Sequence, residues 1–282
     1  MIDYVPISHR DNENGTKLFE ILMPRFGLGV WQMDNEACKS SIIYALNNGY
    51  RLIDTATAYG NENAVGEAIR NSGVPRDEIF VVTKLRRVHA TGFEETIVRC
   101  RESLQRLGLD YVDLYLIHAP PEDISVRAEV WKAMEECLRL GLTRSIGVSN
   151  YGFNHLKAML DYAKILPAVN QIEVHPWLPR SELRRATIEI GAIPMGYSPL
   201  ARGHKVNDPN LEKIASLIGC TPAQAAIKWV YDTGSITIPK SSNHNRISEN
   251  LSALEFDISN FSNQFSLLAE SYVSGWDPTS EP

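Results

Sequence analysis

What the chain lacks narrows its possibilities first. Among 282 residues no window approaches the ~20 consecutive apolar residues that a membrane-spanning helix requires. The N-terminus, MIDYVPISHR, has no basic region followed by an apolar run, so no export signal is expected. Basic residues are not in surplus. The 28 Lys and Arg stand against 34 Asp and Glu, a formal net charge of -6 with both signs mixed, which leaves no stripe for nucleic acid and no polybasic segment for an anionic membrane. Cysteine is scarce. Cys38, Cys100, Cys137 and Cys220 are scattered without CxxC spacing and fall in segments that read as helices, so reduced thiols and a cytoplasmic-type compartment are expected.

Two chemical motifs are missing as well. The first apolar run, FGLGVW, carries Gly27 and Gly29 but continues as Val-Trp-Gln, so the G-x-G-x-x-G fingerprint of an open doubly wound sheet is absent. These glycines read as relief for tight packing near a strand. The early strands have no His-x-His, and Glu173 with His175 makes only a two-residue cluster, so no metal site is expected. No linker or low-complexity break interrupts the chain, and a single domain over residues 1–282 is expected.

What is present is a repeating unit. After polar DNENGT and then KLFEILM, which read as a loop or hairpin within about residues 1–25 packed across one end, a strand–helix pattern recurs to the C-terminus. Its strands are FGLGV, RLIDTA, IFVVTKL, YVDLYLIH, SIGVSN, AVNQIEVH, IPMGYSPL and SITIPK. The predicted helices end at Gly49 for the first unit and then span 62–72, 94–107, 127–140, 153–165, 181–190, 209–218 and 243–254. Residues 221–233 read as an additional helix, and 256–282 as a short tail. Alternating strands and helices imply parallel strands joined by crossovers. Eight units, with runs such as IFVV and LYLI that are apolar on both faces, predict a closed (β/α)8 TIM barrel.

Active sites of such barrels lie at the C-terminal ends of the strands, and polar residues gather at these positions. RLID stops at Asp54 with Tyr59 five residues on, IFVVTKL delivers Lys84, and YVDLYLIH delivers His118. Further strand ends supply Ser149, Asn150, Gln171, Tyr197, and Lys240 with Ser241. A phenol with an ordinary pKa near ~10 moves toward ~7 if about 4 kcal/mol is supplied, which one charge at ~4 Å provides at an effective dielectric of about 20. Lys84 is the expected source of that charge. Asp54 would keep Lys84 placed, and His118 would orient a carbonyl oxygen as a neutral donor.

With these residues in view, the chain resembles the aldo-keto reductase family over nearly its full length. FGLGVW, RLIDTATAYGNENAVGEAIR, VVTKL, LYLIH, SIGVSN, NQIEVHPWL, YSPL and IPKSSNHNRISEN follow that family's pattern in order. The resemblance implies NADPH-dependent reduction of aldehydes or ketones to alcohols, with Tyr59 as proton donor and Asp54, Lys84 and His118 completing a tetrad. It also implies that Ser149, Asn150 and Gln171 hold the nicotinamide carboxamide and Tyr197 stacks on the ring. Ser198 and Leu200 would lie near the pyrophosphate, and Glu249 and Asn250 near the adenine. Lys240, Ser241 and Arg246 offer two cations and a hydroxyl, which suits the 2′-phosphate of NADPH over the bare ribose of NADH.

Trp31, Arg86, His118 and Ala119 are expected to line the substrate pocket. Arg86 and Ala119 stand where many members carry aromatics, so oxygen-bearing carbonyls such as dicarbonyls or keto lactones are expected substrates. After YSPL the chain runs ARGHKVND, without the acid that often fastens a loop over the cofactor in this family. The expected partner is a small-molecule carbonyl, with no nucleic acid or membrane, and a monomer is expected, with a dimer as the alternative. The alternative from a different class is a slow-turnover, cofactor-sensing barrel subunit of a larger assembly.

Overall fold

The structure, a computed structural model, describes residues 2–281; Met1 and Pro282, the outer bounds of the expected domain, lie outside the described residues. Strands β1 (Tyr4–Arg10) and β2 (Lys17–Pro24) form an antiparallel hairpin. Its turn is DNENGT, where the Asp11 carboxylate accepts the backbone N–H of Glu13 at 2.9 Å and of Asn14 at 3.1 Å, the local bonding that makes Asp a turn former.

Eight parallel strands follow in chain order: β3 (Leu28–Gly29), β4 (Leu52–Asp54), β5 (Phe80–Leu85), β6 (Leu114–Ile117), β7 (Ile146–Ser149), β8 (Val169–Glu173), β9 (Ile193–Tyr197) and β10 (Ile236–Ile238). The last meets the first. Gly27 N–H donates to Thr237 O at 3.0 Å and Gly29 N–H to Pro239 O at 3.1 Å, with parallel bridges Phe26–Thr237 and Gly29–Lys240. The sheet is therefore a (β/α)8 barrel. A Cβ on Gly27 would lie 2.4 Å from the Leu52 side chain, so this glycine serves close packing at the seam.

Together the strands supply two apolar layers. Leu52, Val82, Leu114, Leu116, Val169 and Ile236 fill the barrel, closed below by Ile7 and Met23 of the hairpin. Their neighbours Ile53, Val81, Tyr115 and Ile117 point outward under the helices. Side chains alternate along a strand, and here both faces are covered, which is why the strands read as continuous apolar runs. The hairpin is fastened by His9, fully buried, whose Nε2 lies 2.9 Å from Ser145 Oγ and whose Nδ1 lies 3.3 Å from Leu166 O.

The helices are α1 (Asn35–Asn47), α2 (Glu62–Asn71), α3 (Phe93–Leu107), α4 (Arg127–Arg139), α5 (Phe153–Tyr162), α6 (Ser181–Glu189), α7 (Pro209–Ile218), α8 (Pro222–Asp232), α9 (His244–Ser252) and the short α10 (Ser262–Ser266). Caps explain several of their ends. Asp208 accepts from Asn210 N ahead of α7 with Pro209 in its first turn, and Thr221 with Gln224 forms a reciprocal capping box on α8.

Two readings need correction. The helix expected over 153–165 stops at Tyr162, where Ala163 turns extended and the following chain bonds across to the hairpin, Leu166 N to Arg10 O at 3.0 Å. Cys220 lies outside any helix, in the turn that Gly219 opens with φ 83° between α7 and α8. All four cysteines are free thiols. Among the described residues no helix is long and apolar enough to cross a membrane.

The tail runs over the C-terminal face of the barrel. Ser274 N–H donates to the buried Glu173 carboxylate at 3.0 Å, Arg180 pairs with Asp277 at 2.6 Å, and Arg87 pairs with Glu281 at 2.6 Å.

Candidate active site

The C-terminal strand ends open on one cavity of about 580 Å³, lined among others by Asp54, Tyr59, His118, Ser149, Asn150, Gln171 and Tyr197. Seven polar residues thus come together from strands β4, β6, β7, β8 and β9 and the loops that follow them. Lys84 lies beneath them on β5, fully buried.

Lys84 uses all three of its donors. Its ammonium reaches Asp54 Oδ1 at 2.6 Å, Thr55 O at 2.8 Å and Tyr59 Oη at 3.3 Å. An ammonium cannot accept a hydrogen bond, so in the third contact the phenol oxygen is the acceptor. The Tyr59 O–H is then free to donate into the cavity. Asp54 is held from its other side by Gln171 Nε2 at 2.8 Å from Oδ2, which fixes the carboxylate that fixes the lysine.

The expected lowering of the phenol's pKa is not found. Burial and the nearby Asp54 charge raise the Tyr59 pKa well above its ordinary value, and only Arg202 pulls the other way. The Lys84 charge is matched by Asp54 at contact distance, and burial holds the lysine's own pKa below the usual range against the pull of that carboxylate. Tyr59 is therefore firmly protonated. His118, its ring edge-on to Tyr59 with centroids 5.7 Å apart, is pushed down to about 3 by burial and then by Lys84 and Arg86, so its imidazole is neutral.

The cavity wall is a connected polar set. Ser149 Oγ donates to Gln171 O at 2.9 Å, Asn150 Nδ2 donates to His118 O at 2.9 Å, and Tyr197 Oη donates to Asn150 Oδ1 at 2.8 Å. Asn150 and Ser198 hold left-handed backbone, φ 60° and 51°, a conformation that residues other than glycine seldom adopt.

Farther along, Ser198, Leu200, Lys240 and Arg246 line the same cavity. Lys240 and Arg246 are exposed cations without an ion pair among the described residues. Three residues expected near the cofactor do not reach the lining. Ser241 is buried, its Oγ accepting Asn243 N–H at 3.1 Å in the turn ahead of α9. Glu249 faces α8, accepting Thr221 Oγ1 at 2.7 Å, and Asn250 is buried beneath α9.

On the substrate side, Trp31 and His118 line the cavity, whereas Arg86 and Ala119 do not. Arg86 is exposed at the start of a short turn, and Ala119 is buried. It is Arg87 that turns inward, donating to Pro120 O at 2.7 Å and packing over the Trp276 ring at 5.1 Å.

Sequence reasoning missed four contributors. Arg202 and Trp276 line the cavity. Asn61 ties the loop carrying Tyr59 to the loop after β3, donating to Val30 O at 2.9 Å and accepting Thr55 Oγ1 at 3.0 Å. Buried Glu62 accepts Thr83 Oγ1 at 2.6 Å and Arg106 Nε at 2.7 Å. The Asn-Glu pair just after Tyr59 was readable only as the start of a helix; its burial depends on strands and helices distant in sequence.

A barrel whose strand ends bring a buried Lys–Asp pair under a phenol is matched by the comparisons with known proteins. The model of the aldo/keto reductase family matches residues 23–268. The chain belongs to the aldo/keto reductase family. An aldo-keto reductase of Mycolicibacterium vanbaalenii is 46% identical over 236 residues, covering 84% of each chain. Among solved structures, an aldo/keto reductase from Brucella melitensis aligns with TM-score 0.85 at 37% identity, covering 95% of this chain and 100% of the other. A Bombyx mori aldo-keto reductase in complex with NADP aligns with TM-score 0.84 at 30% identity, covering 98% and 95%. This aldo-keto reductase is accordingly an oxidoreductase of carbonyl compounds.

Proposed function

We propose that the chain reduces aldehydes or ketones to alcohols with NADPH, and that Tyr59 supplies the proton. The observation that carries this reading is the Lys84 ammonium, whose three donors are committed to Asp54, Thr55 and the Tyr59 oxygen. That arrangement leaves the phenol one role, to donate into the cavity. NADPH, when bound, supplies a hydride to the carbonyl carbon.

The residues present fit such a cofactor. The cavity of about 580 Å³ is of ordinary size for a ligand site, and two cations without an ion pair among the described residues, Lys240 and Arg246, open onto it. They would hold the 2′-phosphate, Ser149, Asn150 and Gln171 the carboxamide, and Tyr197 the face of the nicotinamide ring. The neutral His118 imidazole would hold the substrate carbonyl oxygen toward the Tyr59 O–H, because an uncharged ring can donate there without competing for the proton being transferred. Burial of Lys84 and Asp54 keeps water from the donor's far side. As the alkoxide forms, the Lys84 ammonium stabilises the phenolate that Tyr59 leaves behind, a charge that exists only after proton transfer.

Tyr59→Phe tests the assignment. It should lower kcat by about 10² to 10⁴, as expected for loss of a general acid, while NADPH binding, followed by fluorescence titration, survives. Retention of more than about a tenth of kcat would be too much for that role and would move the acid elsewhere.

A further inference from the structure

The guanidinium expected at Arg86 is absent from the cavity lining, but another arginine is there. Arg202 belongs to the turn between β9 and α7, where Ala201, Arg202 and Gly203 are all left-handed, with φ 47°, 55° and 85°. Ala201 is fully buried, so the turn is anchored while the next side chain projects to the cavity mouth. The Arg202 central carbon lies 4.5 Å from the centroid of the Trp31 ring. A Cβ placed on Gly275 would stand 2.4 Å from that carbon and 2.4 and 2.5 Å from its two terminal nitrogens. Near-equal distances to three atoms of a planar group put Gly275 over its face.

Packing of this kind uses the face of a guanidinium and leaves its N–H edge for donation. No hydrogen bond or ion pair takes up that edge among the described residues, and the acids in the chain segments flanking Arg202 and Gly275 are committed elsewhere. Asp277 holds Arg180, Glu281 holds Arg87, Glu270 holds Lys205, and Asp208 accepts Trp177 Nε1. Arg202 is therefore a positioned cation without a counter-ion among the described residues. It lines the same cavity as Trp31, Trp276, Tyr59 and His118, and its charge reaches the Tyr59 phenol.

We propose that Arg202, held by Trp31 and Gly275, is a specificity-determining residue that selects carbonyl substrates carrying a carboxylate. The proposal rests on the carbonyl-reductase reading. A carboxylate matches the two-pronged edge of a guanidinium, and both groups are already charged, so the contact is stronger than one between neutral partners.

The test compares para-formylbenzoate with its methyl ester, which has the same reducible aldehyde and no charge, in steady-state reduction with NADPH. The wild-type chain should favour the acid in kcat/KM by about tenfold to a hundredfold, the range for a charge-assisted hydrogen bond. Arg202→Met should bring the ratio close to one, and Arg202→Lys should restore part of it. Gly275→Ala should lower the ratio with the charge still present, because its Cβ displaces the guanidinium; this second variant covers the case in which Arg202→Met does not fold.

Reduction of acid and ester with equal efficiency, or a preference that survives Arg202→Met, overturns the proposal and leaves the reductase reading standing. So does a loss of NADPH affinity in Arg202→Met with the preference intact, which would assign the guanidinium to the cofactor. If the wild type reduces neither compound, calorimetric titration of the NADPH-saturated protein with para-(hydroxymethyl)benzoate separates the two ideas. Binding that Arg202→Met abolishes upholds the anion site without the reaction, and absence of binding overturns it.

Discussion

At the scale of single residues, Lys84 and Asp54 form a buried pair whose worth differs for catalysis and for stability. Two opposite charges at 2.6 Å, both almost fully buried, offset a desolvation cost that each would otherwise carry alone. Lys84→Met leaves the Asp54 carboxylate with Gln171 as its side-chain donor, and removing one member of a buried pair typically costs about 3 to 5 kcal/mol. The denaturation midpoint should fall accordingly and carbonyl reduction should be lost. Combining Lys84→Met with Asp54→Asn should recover part of the midpoint and none of the activity. A single Lys84→Met variant with unchanged stability would contradict the pairing.

At the scale of elements, the loop bearing Tyr59 is only as rigid as the helix behind it. α2 packs on α3 so closely that a Cβ on Gly66 would fall 1.7 Å from Leu107 O, and Arg70 donates to that same carbonyl at 2.8 Å. Backbone cannot yield as a flexible side chain can. Gly66→Ala should therefore destabilise by about 1 to 3 kcal/mol or more, as overpacking does, seen as a lowered melting temperature. A variant as stable as the parent would mean that the helices separate freely.

The second element with a consequence is α9, which carries Arg246 to the cavity. Arg246→Ala should weaken NADPH binding by about 1 to 3 kcal/mol, the worth of a charged hydrogen bond, and leave NADH nearly unchanged. Competitive titration of the two cofactors measures the difference, and equal losses would assign Arg246 to the fold or to the shared adenosine.

For the molecule as a whole, the hairpin that closes the barrel carries a pH limit. Burial lowers the His9 pKa from 6.5 to about 4, against the raising effect of its bond to Leu166 O, because the ring must enter the barrel base uncharged. Between those two values the unfolded chain binds a proton that the folded chain does not, so stability falls as pH drops below about 6.5 and levels off near 4. The full loss is on the order of 3 kcal/mol from this group. His118, lowered to about 3, adds a loss of the same sign that continues to lower pH. Urea midpoints measured from pH 7 to pH 4 should decline less steeply in His9→Gln than in the parent. Parallel profiles would remove His9 from the account.

The sequence by itself determined the repeating order of strands and helices, because apolar runs and capping residues are local signals. It also determined which strands end in Asp54, Lys84 and His118, and the period of that repeat was enough to bring them to one face. Only the tertiary structure decided what each group then does electrostatically. The Tyr59 pKa lies well above its ordinary value and not below it, because burial and the Asp54 charge dominate, and burial is a property of everything packed around a residue. In the same way Arg86 and Arg202 are both arginines after a strand end, and the strand pattern does not distinguish them. One turns to solvent and the other lies against Trp31 and Gly275, a choice made by a left-handed turn and by a tail more than 70 residues away in the chain.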